Sequence, residues 1–133
     1  MKRAKGARGK CDRVFSLIIR SAGECAACDY RCTCPQRPHK HTASCRLQCA
    51  HVVSRSYSHT RCDTRNAVCL CAGCHRHFTN NPVEWGRWVD STLGAGHYDA
   101  VWHDARQTGG QRVDWEAVYV ELQAEAALRG IDL

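Results

Sequence analysis

Two Cys-x-x-Cys pairs, Cys25-Ala-Ala-Cys28 and Cys71-Ala-Gly-Cys74, constrain this chain more than any hydrophobic pattern in it. A turn of this kind sets two thiolates on one side of an ion, and two turns supply the four ligands of a closed tetrahedral zinc site. The chain has 133 residues, eleven of them cysteine, and beyond the cysteines it holds too few aliphatic residues for a large conventional core. One domain stapled by metal is the economical reading, with disulfides as the competing use of the cysteines. After the basic residues 1–10, the apolar run from Val14 to Ile19 is cut off by Arg20, too short for a signal sequence or a membrane span. The expected location is therefore the cytoplasm, with no secretion and no membrane partner. In a reducing compartment an odd cysteine count at this spacing favours Zn²⁺ over a disulfide set.

Nineteen Lys and Arg stand against thirteen Asp and Glu, a formal charge of +6. Four thiolates binding one Zn²⁺ lower that charge by two, so the bias that favours a polyanionic partner survives metallation. Nucleic acid leads among such partners, and a bland soluble surface is the alternative. Residues 1–10 carry five Lys or Arg and two Gly with almost nothing apolar, which reads as a flexible basic tail, either touching phosphates or simply solvated.

The pattern predicts an α+β chain. Asp12 is placed to cap a helix whose apolar stripe includes Val14, Phe15, Leu17, Ile18 and Ile19. Residues 21–45, rich in Gly, Cys, Pro and His, have no regular period and read as metal-tied loops. Two β-prone runs, Leu47–Arg55 and Asn66–Cys71, flank a loop rich in Ser, Thr and Arg, and a helix is expected to begin at the second cysteine pair. Asn81, Pro82 and Glu84 combine an N-cap, a first-turn proline and a capping-box partner for a helix from Pro82 to Leu93, with Trp85, Trp88 and Val89 on one face and Gly94 as its stop. Tyr98, Val101, Trp102 and Ala105 repeat at helical spacing, and Asp114 can cap a last helix with Val118, Tyr119, Leu122 and Ala126 inward. Tryptophans on such periodic faces belong to a core, not to base-stacking platforms. Residues 11–93 thus form a zinc-stapled core domain, and residues 94–133 a helical extension packed on it.

The stretch LQCAHVVSRSYSHTRCDTRNAVCLCAGCHRHF resembles the HNH endonucleases of the ββα-metal type. A histidine ends the first strand (His51), an asparagine opens the second (Asn66), and Cys-x-x-Cys-His leads into a helix (His75). Over about residues 11 to 93 the most similar branch is that of the phage NinG or Rap recombination proteins, through DRVFSLIIR, GECAAC, HVVSR and the spacing from Asn66 to Cys74. The resemblance implies a small zinc-stapled ββα-metal core with an N-terminal helix, in which Cys25, Cys28, Cys71 and Cys74 hold structural Zn²⁺. It further implies hydrolysis of DNA phosphodiester bonds, in duplex or branched recombination intermediates, with Mg²⁺, Mn²⁺ or another divalent cation.

Such hydrolysis needs an activated water, a cation on the scissile phosphate and stabilisation of the leaving oxygen. His51 can serve as general base near neutral pH, Asn66 would orient its ring or the connecting loop, and His75 would offer a ring nitrogen to the catalytic cation. Arg55, Arg61 and Arg65 are candidates for bidentate phosphate binding to DNA. Ala50 stands where many HNH enzymes carry Asp or His as a second metal ligand, which implies a weakly held cation. His77 is a poor substitute, since it lies two residues from His75 and points elsewhere on a helix, whereas His59 or added waters would serve. The alternative is a zinc module that binds DNA without cutting it, as a recombination accessory, or a structural partner in a phage particle. Cys32, Cys34, His39, His41 and Cys45 offer a second ligand group without a trusted spacing, and Cys11, Cys49, Cys62 and Cys69 suit small buried positions.

Overall fold

The computed structural model describes residues 6–28, 30, 46–107 and 112–133. Helix α1 spans Gly6–Arg20, strands β1 and β2 span Leu47–His51 and Ala67–Cys71, and four further helices follow: α2 (Ala72–Asn80), α3 (Pro82–Leu93), α4 (His97–Arg106) and α5 (Trp115–Leu128). This is an α+β architecture. The strands pair antiparallel, with Leu47 opposite Cys71, Cys49 opposite Cys69 and His51 opposite Ala67. The loop of residues 52–66 that joins them ends in a 3₁₀ turn, Thr64–Asn66, which carries Asn66 ahead of the strand it was expected to open.

All five residues of β2 are buried, as a strand covered on both faces must be. On one side, Val68 and Leu70 join Leu47, Ala50, Val53, Phe78, Trp85, Trp88, Val89 and Val101 in a core closed by α2, α3 and α4. Phe78 packs on both tryptophans with ring centroids 5.1 and 5.2 Å away, and the tryptophans stack on each other. On the other side, Ala67 meets Val14, Phe15 and Ile18 of α1 and Leu122 and Ala126 of α5. Buried Cys11, Val14, Phe15 and Ile18 fall at i, i+3, i+4 and i+7, the stripe that lets α1 lie along α5. The Cys11 thiol donates to the Trp115 carbonyl at 3.3 Å, joining the first helix to the start of the last.

Three local expectations are corrected. Helix α1 begins at Gly6, so residues 6–10 are helical and the tail, where described, is not a tail; burial of Gly9 and Cys11 against the domain gives this segment the packing its composition alone does not promise. Asp12 therefore lies inside the helix and caps nothing. Finally, α3 has the expected bounds and a proline in its first turn, but its capping box does not form. Asn81 Nδ2 donates instead to the His77 carbonyl at 2.8 Å and finishes α2, while Glu84 is drawn to His77 and Tyr30. Gly94 ends α3 at φ 128°, a conformation that only glycine adopts at little cost. Asp114 does cap α5, accepting from the Ala117 N–H at 3.1 Å.

Candidate functional site

The first cysteine pair sits in the turn after α1, and the Ala26 N–H docks that turn on β2 by a 2.8 Å bond to the Cys69 carbonyl. Cys71 ends β2 and caps α2, its sulfur accepting from the Cys74 N–H, so strand end and helix start present their thiols together. The sulfurs of Cys25, Cys71 and Cys74 all lie within 4.8 Å of one another, buried. Tetrahedral sulfurs at a zinc bond length of about 2.3 Å stand roughly 3.8 Å apart, so this trio fits a metal ion. Three soft donors suit Zn²⁺ or another thiophilic ion. Cys28 lies in the same turn, its N–H bonded to the Cys25 carbonyl at 3.1 Å, but its sulfur is outside the trio.

The electrostatics of the trio show what an ion would change. A hydrogen bond from the Cys74 thiol pulls the Cys25 thiol down to about 5, against the opposing effect of burial. That same bond, with desolvation added, drives Cys74 upward. A divalent cation would remove the conflict by stabilising all three as thiolates. Four cysteines outside the two pairs behave differently: burial pushes Cys49 and Cys62 up to about 12 and Cys69 to about 11, and raises Cys11 as well, leaving them as inert thiols. No disulfide joins any described cysteine. Cys32, Cys34, His39, His41 and Cys45 lie outside the described residues.

His51 ends β1 with its ring half-buried against Phe15, centroids 5.6 Å apart. Its Nε2 lies 2.9 Å from the Arg61 carbonyl. A carbonyl only accepts, so Nε2 carries the proton and Nδ1 keeps the lone pair. Burial lowers the His51 pKa, the Arg61 carbonyl bond partly opposes this, and nearby Arg55 adds to the lowering. The ring is therefore a neutral acceptor at neutral pH.

Asn66, fully buried, holds the loop and not the ring. Its Oδ1 accepts from the Val53 N–H at 2.7 Å, and its Nδ2 donates to the carbonyls of Val53 at 3.1 Å and Thr60 at 2.9 Å. With the Val52 N–H donating to the Asn66 carbonyl at 2.7 Å, both limbs of the loop are fastened beside His51.

His75 stands in the first turn of α2 with Nδ1 2.7 Å from Gln48 Oε1 on β1. The amide oxygen fixes the proton on Nδ1 and leaves Nε2 with the lone pair, while burial lowers the pKa. Strand alternation puts Gln48 and Ala50 on the α2 side of β1 and Cys49 and His51 on the α1 side. Among the described residues no hydrogen bond or ring contact joins the two histidines. Ala50 is 1 % exposed, so the position of the absent second ligand is a core position. His77 is bonded to Glu84 at 2.6 Å, and His59 is exposed on the loop.

Two of the three arginines expected to bind phosphate are committed elsewhere. Arg61 is corrected most clearly: Nε and Nη2 grip the Asp12 carboxylate at 2.7 and 2.6 Å, with side chains only 12 % and 18 % exposed. Exposed Arg65 bridges Asp63 and Asp104, each at 2.8 Å. Arg55 is exposed near His51, and no ion pair holds it among the described residues. Sequence reasoning missed Gln48 and Asp12 as site residues; strand alternation offered a weak signal for the first and nothing local offered one for the second.

Comparison with family models, with curated proteins and with solved structures finds no match for this chain. Fold and site define it as an α+β chain with a two-stranded sheet and a buried cysteine trio able to hold a metal ion. No described helix is long and apolar enough to cross a membrane.

Proposed function

We propose that this chain is an HNH-type, divalent-metal-dependent endonuclease or nickase acting on duplex or branched DNA, of the kind the NinG and Rap recombination proteins represent. The observation that carries the reading is His51: a neutral half-buried imidazole at the end of β1 whose Nε2–H is fixed on a main-chain carbonyl, with Nδ1 left as a base, beside a loop pinned by fully buried Asn66. Structural Zn²⁺ is assigned to Cys25, Cys71 and Cys74, with Cys28 as the fourth ligand.

His51 Nδ1 takes the proton from the attacking water, and the neutral ring is ready to do so at pH 7 because burial disfavours its charged form. Asn66 acts by holding the loop peptides that orient His51. His75 Nε2 would hold the catalytic cation, Mg²⁺ or Mn²⁺, which when bound supplies charge stabilisation on the scissile phosphate. Gln48 keeps that nitrogen deprotonated and aimed. Arg55 is the phosphate anchor of the three arginines.

One observation favours a second reading, a zinc-containing DNA-binding accessory protein without cleavage. Ala50 is buried within β1 and gives the cation no carboxylate, so its one assigned protein ligand is His75, which meets the opposite face of the sheet from His51. Plasmid nicking separates the two. Purified protein with Mg²⁺ or Mn²⁺ is expected to convert supercoiled plasmid to open circles and to cut duplex, forked and four-way junction substrates in differing degree. Salt-dependent binding with no cleavage under any divalent ion would transfer the assignment to the accessory reading.

A further inference from the structure

We infer that Asp12 and Arg61 are a positioning pair that holds His51 in its working tautomer through the Arg61 main-chain carbonyl, an inference that rests on the nuclease reading for its kinetic consequence but not for its geometry. The path is continuous. The Asp12 carboxylate on α1 receives both Nε and Nη2 of Arg61, a planar fork-to-carboxylate grip that fixes direction as well as distance. The third arm of the guanidinium, Nη1, donates to the Arg55 carbonyl at 3.0 Å, closing the loop upon itself. The carbonyl of that same Arg61 takes the His51 Nε2–H at 2.9 Å.

Three independent holds converge on Arg61 and the His51 ring it supports. Asn66 Nδ2 binds the Thr60 carbonyl at 2.9 Å from within the domain, Asp12 fixes the Arg61 side chain from α1, and Phe15, three residues along α1 from Asp12, packs on the His51 ring. Helix α1 thus reaches the base twice, once through an aromatic contact and once through the ion pair. Arg61 cannot serve as a mobile phosphate ligand while it does this. The charged groups facing His51 are Asp12 from α1 and Arg55 and Arg61 from the loop, and the pair keeps one cation neutralised beside the ring.

If the ion pair is cut, the carbonyl loses its fixed direction, the Nδ1–H tautomer gains population, and a ring in that form has no lone pair facing the water. Losing the outer hydrogen-bond support of a functional histidine costs activity about 10- to 100-fold. Asp12→Asn keeps shape but offers one acceptor oxygen in place of two, and Arg61→Lys keeps the charge but loses the fork. Both are compared with wild type for metal content and for the ¹⁵N signals of His51, which report the tautomer directly, and for nicking kinetics against pH.

The expected result is retained metal, an Nε2–H tautomer in wild type that becomes a mixture in both variants, kcat down about 10- to 100-fold, and KM unchanged. Asp12→Glu restores part of the loss. Unchanged tautomer and kcat in both variants overturn the pairing, as does a rise in KM with kcat intact, which would make Arg61 a phosphate ligand. Should Asp12→Asn fail to fold, Arg61→Lys carries the same test. A chain that cuts no DNA yet shows the tautomer change overturns the nuclease reading and keeps the pair; a chain that cuts normally in both variants does the reverse.

Discussion

On the α2 side, Phe78, Trp85 and Trp88 are buried in one cluster with the three cysteines of the trio, whereas on the α1 side Phe15, Ile18, Leu122 and Ala126 pack in a second cluster that holds none of them. Each side contributes one histidine to the proposed chemistry. His75 belongs to the α2 side, through Gln48, and His51 to the α1 side, through Phe15 and Arg61. On the proposed reading the difference is a division of labour: metal-bound cysteines would hold the short helix and strand ends that a small core could not hold, and an ordinary helix pair would fix the base. Stability and catalysis should respond separately to damage on the two sides.

The largest effect is expected from the metal. Cys74→Ser removes a ligand, and a chelator removes the ion; with apparent binding free energy on the order of 10 kcal/mol coupled to folding, either should lower the melting temperature steeply and loosen the Trp85 and Trp88 environment, read by fluorescence. A melt insensitive to chelator would break the comparison at its root. Next is Asn66→Ala, which strands the Val53 N–H and two buried carbonyls and should cost about 3 kcal/mol in denaturant unfolding, with zinc retained. Leu122→Ala on the α1 side should cost about 2–3 kcal/mol, again without loss of metal, because no cysteine of the trio belongs to that cluster.

Acid should act on both sides at once. His51 and His75 are held below the ordinary value of 6.5 by burial, so the unfolded chain binds their protons more readily than the folded one. Stability that is intact above pH 6.5 must then decline as the pH falls through the depressed folded values, and a melting temperature flat from pH 7 to 5 would contradict the burial of both rings. The smallest effect belongs to Arg65→Ala. Its guanidinium is more than half exposed, so losing both ion pairs should change stability by no more than about 0.5 kcal/mol.

What could be read from sequence is what depends on neighbours in the chain. Pro82 and Gly94 bound α3, Asp114 caps α5, and the stripe from Val118 to Ala126 faces inward. Cys71 and Cys74 meet because both lie on one turn, and Cys25 joins them by the pairing rule of such sites. The missed features have distant partners. Asp12 and Arg61 are 49 residues apart, and Gln48 and His75 are 27 apart; no periodicity or cap signature connects such residues. Asp12 was legible only as a helix cap because its local context, a polar residue ahead of an apolar stripe, fits that role equally well. The start of α1 failed for a related reason, since the packing that orders residues 6–10 comes from the domain and not from the segment itself.

The central claim is that the metal holds the fold while His51 performs the chemistry, and it is tested most directly by measuring zinc content and plasmid nicking on the same sample of His51→Ala. The expected result is zinc at the wild-type ratio with nicking in Mg²⁺ or Mn²⁺ abolished. Wild-type nicking by that fully metallated variant would contradict it.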